Sequence, residues 1–475
     1  MSSSFRSIFK NFSFSFVANV ISMLISAVVI AIIPKVIGVA EYGYYQLYVF
    51  YASYTGFFHF GWCDGIYLRY GGIDYERYDR PLMSSQFWYL TFLETCFTGV
   101  LILLVGLFGF DVDRAFVLRL TALSILFMIP KTMVAYLLQI SNRIREYSFV
   151  VIIEKTTCFV LTVLLLIAGY RSYQLLVAAD ITGKLAALIL GCWYCRDIVL
   201  NRMSPPKTAL REAWTNISVG VKLLVANIAS MLILGIVRFA IERHWSIETF
   251  SKVSLAVSIS NLLMVFINSV GVVLFPILRR VEVDRLNGIY RSLRSVLMIL
   301  LYLMLLCYYP LQWILGKWLP NYAESFRYMS ILFPMCVYDC KMTMLINTYL
   351  KALRKEKQLL MINLVTVTLS AVLTYVCVYM AESLTLSMVL VVFLFASRCT
   401  AGELLLGKYI GQRFTVQNLI DALMCILFMI ISNLLPGMYA FFTFFAVYLG
   451  YIKISCSSMD TIIALIKNRT SSNEK

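Results

Sequence analysis

Long apolar stretches follow one another along almost the whole chain, and they restrict its fold more than any other feature. A helix that crosses the hydrocarbon core of a bilayer needs roughly 20 apolar residues. Stretches of about that length occur at 13–33, 44–63, 87–109, 115–140, 149–169, 173–194, 217–240, 253–278, 295–315, 328–350, 358–380, 384–406, 419–435 and 437–456. Hydrophobic residues make up 61% of all positions, whereas soluble domains are about half apolar. The pattern predicts an all-α polytopic membrane protein with about 14 transmembrane helices.

Lysine and arginine are divided unevenly between alternate connections of these spans. If the N-terminus is cytoplasmic, 26 of the 41 basic residues lie in cytoplasmic segments, 8 lie in the opposite loops and 7 lie within spans. The cytoplasmic set includes Arg294, just before the ninth span. This is the positive-inside pattern, and it predicts that both termini are cytoplasmic. The net charge of +16 then reflects topology and attraction to anionic membrane lipids rather than binding of nucleic acid.

The connections and the rarer residues argue against an enzyme. The longest connections are about twenty residues, near 64–86 and 195–216, too short for a soluble domain. Cys192 and Cys195 form a single CxxC without a second pair, and His59 and His244 are the only histidines, far apart in sequence. The chain has no phosphate-binding loop of the G-x-x-x-x-G-K-[ST] type. These features predict a transporter with no catalytic residues, no metal and no cofactor.

Charged residues inside the spans are the main candidates for function, because a charge at the centre of a spanning helix costs about 2.5–3.5 kcal/mol on insertion scales. Such residues face a protein interior or water. The candidates for contact with an anionic cargo are Lys131, Lys222, Arg238, Lys341 and Arg398. The candidates for ion coupling are Asp64, Asp339 and Glu154. Lys131 ranks first because it lies in mid-span next to Pro130, whereas Lys222 and Arg238 lie nearer helix ends and could reach the membrane interface instead.

Two further patterns within the spans allow both a structural and a functional interpretation. Asp180 and Lys184 are four residues apart on one helix face, which favours a structural ion pair. Polar uncharged residues also recur at helical spacing in the first, eighth and eleventh spans. These stripes include Asn19, then Asn261 and Asn268, then Asn363. They fit interhelical hydrogen bonding or a wetted interior about equally; in the second case Asn19, Asn261 and Asn268 line the cargo cavity.

Four segments resemble one family. They are IPKVIGVAEYGYYQLY at 33–48, FGWCDGIYLRY at 60–70, FPILRR at 275–280 and NTYLKALRKEKQLLMIN at 347–363. Each motif is weak alone, but their order and the fourteen spans resemble Wzx-type flippases of lipid-linked O-antigen units. That family belongs to the multidrug/oligosaccharidyl-lipid/polysaccharide exporter superfamily.

The resemblance implies a division of the chain and a function. It implies two pseudo-symmetric six-helix lobes, at 1–200 and 201–415, two additional helices at 416–460 and a cytoplasmic tail at 461–475. The implied function is movement of an oligosaccharide on undecaprenyl pyrophosphate to the periplasmic leaflet of a bacterial inner membrane by alternating access. Partners implied are this lipid-linked substrate, the O-antigen polymerase and the chain-length regulator. The alternatives are a membrane enzyme of the same pathway, such as a polymerase or acyltransferase, and a multidrug or cation exporter of the same superfamily.

Overall fold

The structure is a computed structural model that describes the backbone of residues 3–278 and 283–470 and the side chains of 19–262, 264 and 288–453. The side chains of Asn268, of the FPILRR segment and of the predicted tail at 461–475 therefore lie outside the described residues. The chain forms two compact units: unit 1 contains 1–228 and 247–251, and unit 2 contains 229–246 and 252–475. The boundary between them falls inside a helix. The division into lobes at residue 200 stays a prediction.

The regular secondary structure of unit 1 is helical in its described part. Its helices are α1 (Ser3–Ile37), α2 (Val39–Ala52), α3 (Trp62–Tyr70), α4 (Arg80–Leu107), α5 (Val112–Ile140), α6 (Ile144–Ile167), α7 (Tyr173–Tyr194), the short α8 (Arg196–Val199) and the first part of α9 (Pro206–His244). Helices α5, α6 and α7 pack against one another, and α1 packs along α6. Helix α4 begins after Asp79, whose side chain accepts a hydrogen bond from the backbone N–H of Leu82 at 3.1 Å. Pro81 lies in the first turn of this helix, where a backbone N–H has no partner within the helix.

The regular secondary structure of unit 2 is also helical in its described part. Its helices are α10 (Ile247–Leu278), α11 (Val283–Leu306), α12 (Tyr308–Trp318), α13 (Ala323–Lys341), α14 (Asn347–Ala352), α15 (Glu356–Tyr375), α16 (Leu384–Ile410), α17 (Thr415–Leu434) and α18 (Gly437–Thr470). Helix α13 continues into α14 through a π-helical turn at Met342–Ile346. Helix α16 starts at a serine cap, Ser383, and ends at Gly411, which has φ 69°. Both residue types are typical of these helix ends.

The predicted all-α membrane fold is confirmed. Ten segments of the described chain are long and apolar enough to cross a membrane. Three of the other four predicted spans also coincide with long helices, α5, α10 and α18. The exception is the stretch at 44–63, which consists of α2, a 3₁₀ turn at Thr55–His59 and the start of α3. Phe60 and Gly61 have φ 51° and 86°, and this left-handed backbone breaks the helix.

Helix α4 shows how these helices meet lipid on one side and protein on the other. Phe92 is 70% exposed and Leu103 is 69% exposed, although both are large and apolar. Met83, Leu90 and Glu94 are fully buried on the same helix. A surface rich in exposed large apolar residues is unfavourable in water and is expected where a helix faces hydrocarbon. The chain is therefore a multi-pass membrane protein.

Three glycines allow helices α3 and α9 to cross at backbone contact within unit 1. A Cβ atom at Gly65 would collide with the carbonyl oxygen of Asn216, and one at Gly220 would collide with the carbonyl oxygen of Gly61. Beside the crossing, Arg69 forms an ion pair with Glu212, which also accepts a hydrogen bond from the hydroxyl of Tyr70 at 2.7 Å. The glycines and the arginine of the FGWCDGIYLRY segment thus have a structural role in joining α3 to α9.

We expect Gly220→Ala to destabilise the protein by about 1–3 kcal/mol or more, because the added methyl group meets backbone atoms that cannot move aside. Gly99→Ala is the matched control, since a Cβ at Gly99 in α4 has no neighbour within 4 Å. Thermal unfolding of both variants in the same detergent measures the difference. Equal melting temperatures would contradict the close crossing.

Candidate functional site

Charged residues of α5, α6 and α7 form a connected group inside unit 1, which we call the unit 1 charge cluster. Its members are Lys131, Glu154, Lys155, Asp180 and Lys184. Lys131 Nζ lies 2.6 Å from Glu154 Oε2, and the side chains of this pair are only 14% and 15% exposed. The predicted cargo residue and one predicted coupling residue therefore form an ion pair between α5 and α6.

The second pair of the cluster lies on one face of α7. Lys184 Nζ lies 2.6 Å from Asp180 Oδ2, in the arrangement that their spacing predicts. The hydroxyl of Tyr48, from α2, donates a hydrogen bond to the same carboxylate oxygen at 2.7 Å, and Lys184 donates to the Tyr48 oxygen at 3.0 Å. This three-residue network fixes α2 against α7 and satisfies the buried carboxylate.

Lys155 gives the cluster a surplus of positive charge. It lies close enough to Glu154 and Asp180 to interact with both carboxylates, yet each carboxylate already has a lysine within 2.6 Å. Three lysines against two carboxylates leave a net charge of +1. Lys155 is half-buried and has no ion pair within hydrogen-bonding distance among the described residues. Lys155 is not among the cargo residues predicted from the sequence.

A second group of charges lies in the interior of unit 2, and we call it the unit 2 charge cluster. It consists of Arg294 on α11, Lys341 on α13, Glu403 on α16 and Asp421 on α17. Arg294 Nε lies 2.8 Å from Glu403, and its Nη2 lies 2.5 Å from Asp421. Lys341 Nζ lies 2.8 Å from Asp421 and also forms an ion pair with Glu403. All four side chains are less than 10% exposed.

The unit 2 charge cluster is electrically balanced and almost completely hydrogen-bonded. The hydroxyl of Tyr290 donates to Glu403 at 2.7 Å, and that of Tyr302 donates to Asp421 at 2.8 Å. Asn418 accepts from Lys341 at 2.9 Å. Two cations and two carboxylates cancel, so the cluster offers little net attraction to an anion. The arrangement favours a structural role for Lys341 over the predicted contact with cargo.

Two members of this cluster, Arg294 and Asp421, are not among the interior residues predicted from the sequence. Arg294, which the charge pattern predicts to be in a cytoplasmic segment, is buried within α11, because the helix begins at Val283, well before the predicted span. Asp421 lies in the apolar run of α17 and is also buried. The usable signal is their high insertion cost: a charge within a spanning helix requires a partner, and four such charges in separate spans suggest mutual pairing.

Arg398 is also buried in unit 2, at 2% exposure of its side chain, and bridges three helices. Its guanidinium donates to Asn363 of α15 and to Ser230 of α9, both at 2.9 Å. Asp339 of α13 lies at 3.5 Å and is the nearby carboxylate. Ser370, one residue of the polar stripe on α15, donates to the backbone carbonyl of Ile233 at 2.9 Å. Ser370 and Asn363 of this stripe therefore form hydrogen bonds between helices, which is one of the two interpretations that the sequence allows.

The remaining predicted residues are dispersed. Arg238 is half-buried and donates to Ser254 at 3.0 Å within unit 2. Lys222 is exposed on the unit 1 part of α9, and Asn19 and Asn261 are exposed as well. Asp64 is buried in the first turn of α3. In the part of the chain that the structure describes, no three His, Cys, Asp or Glu side chains are placed together to hold a metal ion.

Comparisons with known proteins identify the fold. No protein-family model and no curated protein sequence matches this chain. Among solved structures, "Lipid II flippase MurJ, inward closed conformation" is similar with a TM-score of 0.69 and 12% identity, covering 95% of this chain and 99% of that one. The chain therefore has the fold of this flippase.

Two further structures carry the same fold. An inward-facing multidrug resistance MATE family transporter of the MOP superfamily is similar with a TM-score of 0.65 and 11% identity, over 83% of this chain and 94% of that one. A MOP superfamily transporter from Pyrococcus furiosus, described as having a binding pocket of reverse polarity, is similar with a TM-score of 0.51 and 11% identity, over 85% of this chain and 96% of that one. At these identities the similarity concerns the fold.

Proposed function

We propose that this protein is a flippase that moves a lipid-linked oligosaccharide across a membrane. The proposed cargo is an O-antigen or capsule repeat unit on undecaprenyl pyrophosphate, and the proposed direction is from the cytoplasmic to the periplasmic leaflet of a bacterial inner membrane, with both protein termini cytoplasmic. The protein would act before the O-antigen polymerase and the chain-length regulator, which assemble longer chains from the translocated units.

The observation that carries this proposal is the surplus positive charge of the unit 1 charge cluster. A pyrophosphate linkage is the most strongly charged part of such a lipid, and a lysine ammonium in a partly desolvated interior binds phosphate oxygens with charge-assisted hydrogen bonds. Lys155 is the cation that is not held by a 2.6 Å ion pair, so we assign it the first contact with pyrophosphate. The similarity in fold to the lipid II flippase MurJ supports a lipid-linked cargo.

The proposed mechanism is alternating access, in which a central cavity opens first to one side of the membrane and then to the other. Lys155, together with Lys131 of the same cluster, would hold the pyrophosphate while the polyprenyl chain remains in lipid. Glu154 and Asp180 would keep the lysines in place, since each carboxylate holds a lysine at 2.6 Å. Their negative charges would also limit the affinity for pyrophosphate, which favours release after transfer.

A multidrug or cation exporter is the second candidate, because several similar structures are MATE family transporters. A cationic drug would gain most from an interior with surplus carboxylates. The unit 1 charge cluster has the opposite balance, with three lysines and two carboxylates. The polarity of this cluster therefore favours an anionic cargo.

Deletion of the gene in its native host is expected to abolish surface polysaccharide and to leave lipid-linked units on the cytoplasmic leaflet. The measurement is surface polysaccharide by immunoblot together with enzymatic accessibility of the units in membrane vesicles of known orientation. Complementation with the full chain should restore both. Accumulation of unpolymerised units on the periplasmic leaflet would instead identify a polymerase, and unaltered polysaccharide with new drug sensitivity would identify a multidrug exporter.

A further inference from the structure

Glu94 is an acidic residue of unit 1 that belongs to neither charge cluster. It lies at the midpoint of α4, whose 28 residues run from Arg80 to Leu107. At about 1.5 Å per residue, its Cα is about 21 Å from the start of the helix. Its side chain is fully buried, at 0% exposure, and neither carboxyl oxygen has a hydrogen-bond partner among the described residues.

The surroundings of Glu94 are apolar. Its neighbour one turn earlier, Leu90, packs with Ile125 and Ile129 of α5 in the unit 1 core. One turn later, Thr98 donates its hydroxyl to the backbone carbonyl of Ala122 at 3.2 Å, so α4 and α5 are in close contact on both sides of Glu94. No lysine or arginine of the described chain lies close enough to interact with its carboxyl group.

A titratable group of α3, the thiol of Cys63, interacts with Glu94. The Cys63 thiol is buried and interacts with both Glu94 and Asp64. Asp64 is 5% exposed and has no ion pair or hydrogen bond among the described residues. The Nδ1 atom of His59, just before α3, accepts a hydrogen bond from the backbone N–H of Gly61 at 3.0 Å. None of these groups supplies a positive charge to compensate an ionised Glu94.

An ionised carboxylate without a counter-charge or donor is strongly unfavourable in such an interior, so the group takes up a proton instead. We propose that Glu94 is a proton-binding site of this transporter: it holds a proton in the conformation described here and releases it to water when the packing of α3, α4 and α5 opens during the transport cycle. The chemical step is a simple transfer, in which the carboxylic acid becomes a carboxylate and the proton leaves with water.

The paired carboxylates of unit 1 make Glu94 distinctive as a coupling group. Glu154 and Asp180 each have a lysine at 2.6 Å, so a counter-charge lies beside each carboxyl group in any conformation that preserves the pair. Glu94 has no such partner and changes charge when water reaches it. A proton gradient can therefore bias the conformational equilibrium through Glu94, and this use in transport rests on the proposed function.

The first test asks whether Glu94 carries a proton, without any cargo. Infrared spectra of the purified full-length protein at neutral pH should contain a carbonyl band of a protonated, hydrogen-bond-free carboxylic acid, and Glu94→Gln should lose that band. Glu154→Gln is the control and should keep it. Glutamine is neutral and nearly isosteric with the protonated acid, so Glu94→Gln should retain the wild-type melting temperature. An unchanged band in Glu94→Gln would overturn the proposal.

The second test concerns coupling. Vesicles that contain the protein and a lipid-linked oligosaccharide are given a pH gradient, and flipping and internal pH are followed together. The wild type should flip faster with the gradient than without it and should move protons with cargo, whereas Glu94→Gln should flip at one rate regardless of the gradient. Retained gradient dependence in Glu94→Gln would exclude Glu94 as the coupling group while leaving the flippase function intact. Failure of the wild type to flip this lipid, with the infrared band present, would reject the function and leave the proton site.

Discussion

Replacement of Lys341 by methionine is expected to destabilise unit 2 by about 3–5 kcal/mol, the range typical when one partner of a buried ion pair is removed. The substitution leaves Glu403 and Asp421 with Arg294 as their one remaining cation, and the buried charge changes from zero to −1. Methionine fills a similar volume, so the loss reports charge rather than packing. Thermal unfolding in detergent measures it, with Lys351→Met as control because Lys351 is exposed on α14.

A second substitution separates charge balance from other effects of losing Lys341. Asp421→Asn in the Lys341→Met background restores electrical neutrality, and the double variant should be more stable than the sum of the two single changes predicts. An interaction of this kind between contacting residues amounts to about 0.5–3 kcal/mol. Additive effects, or a wild-type melting temperature for Lys341→Met, would show that the cluster does not hold α11, α13, α16 and α17 together.

The fold could be predicted from sequence because it depends on properties that are local. Length and apolarity of each stretch predict a spanning helix, and each predicted span coincides with helical structure in the described chain. The break between α2 and α3 is not predicted, because most of 44–63 is apolar or aromatic and a left-handed turn at Phe60 and Gly61 leaves no signal in hydropathy. The π-helical turn after Lys341 is equally invisible to hydropathy.

The pairing of the interior charges is much harder to predict from the sequence than the helices are. The pair of Asp180 and Lys184 is predictable because the two residues are four apart on one helix. Lys131 and Glu154 are on different helices, and Arg294 and Asp421 are 127 positions apart in sequence. Sequence therefore shows that each of these charges needs a partner but not which partner it has. The sequence places Lys131 in mid-span next to Pro130, but it does not show that its ammonium group lies 2.6 Å from the carboxylate of Glu154.

The largest effect on transport is expected at Lys155. Replacement by glutamine removes the surplus cation of the unit 1 charge cluster and takes its net charge from +1 to 0; replacement by glutamate takes it to −1. A hydrogen bond to a charged group contributes about 1.5–3 kcal/mol, so loss of the contact with pyrophosphate should lower export at limiting cargo by about tenfold or more. Lys155→Glu should be worse still, since it repels phosphate. The measurement is surface polysaccharide divided by the amount of protein in the membrane.

The exchange of Lys131 and Glu154 is the matched control, because it preserves both the ion pair and the net charge of +1. If the cluster acts through its surplus charge, Lys131→Glu alone should abolish export by placing two carboxylates together, and adding Glu154→Lys should restore much of it. Lys155→Gln has no such rescue within the cluster. Export near the wild-type level from Lys155→Glu would exclude the cluster from the path of an anionic cargo. Failure of the exchanged pair, with Lys155→Gln active, would return the leading role to the ammonium group of Lys131 itself.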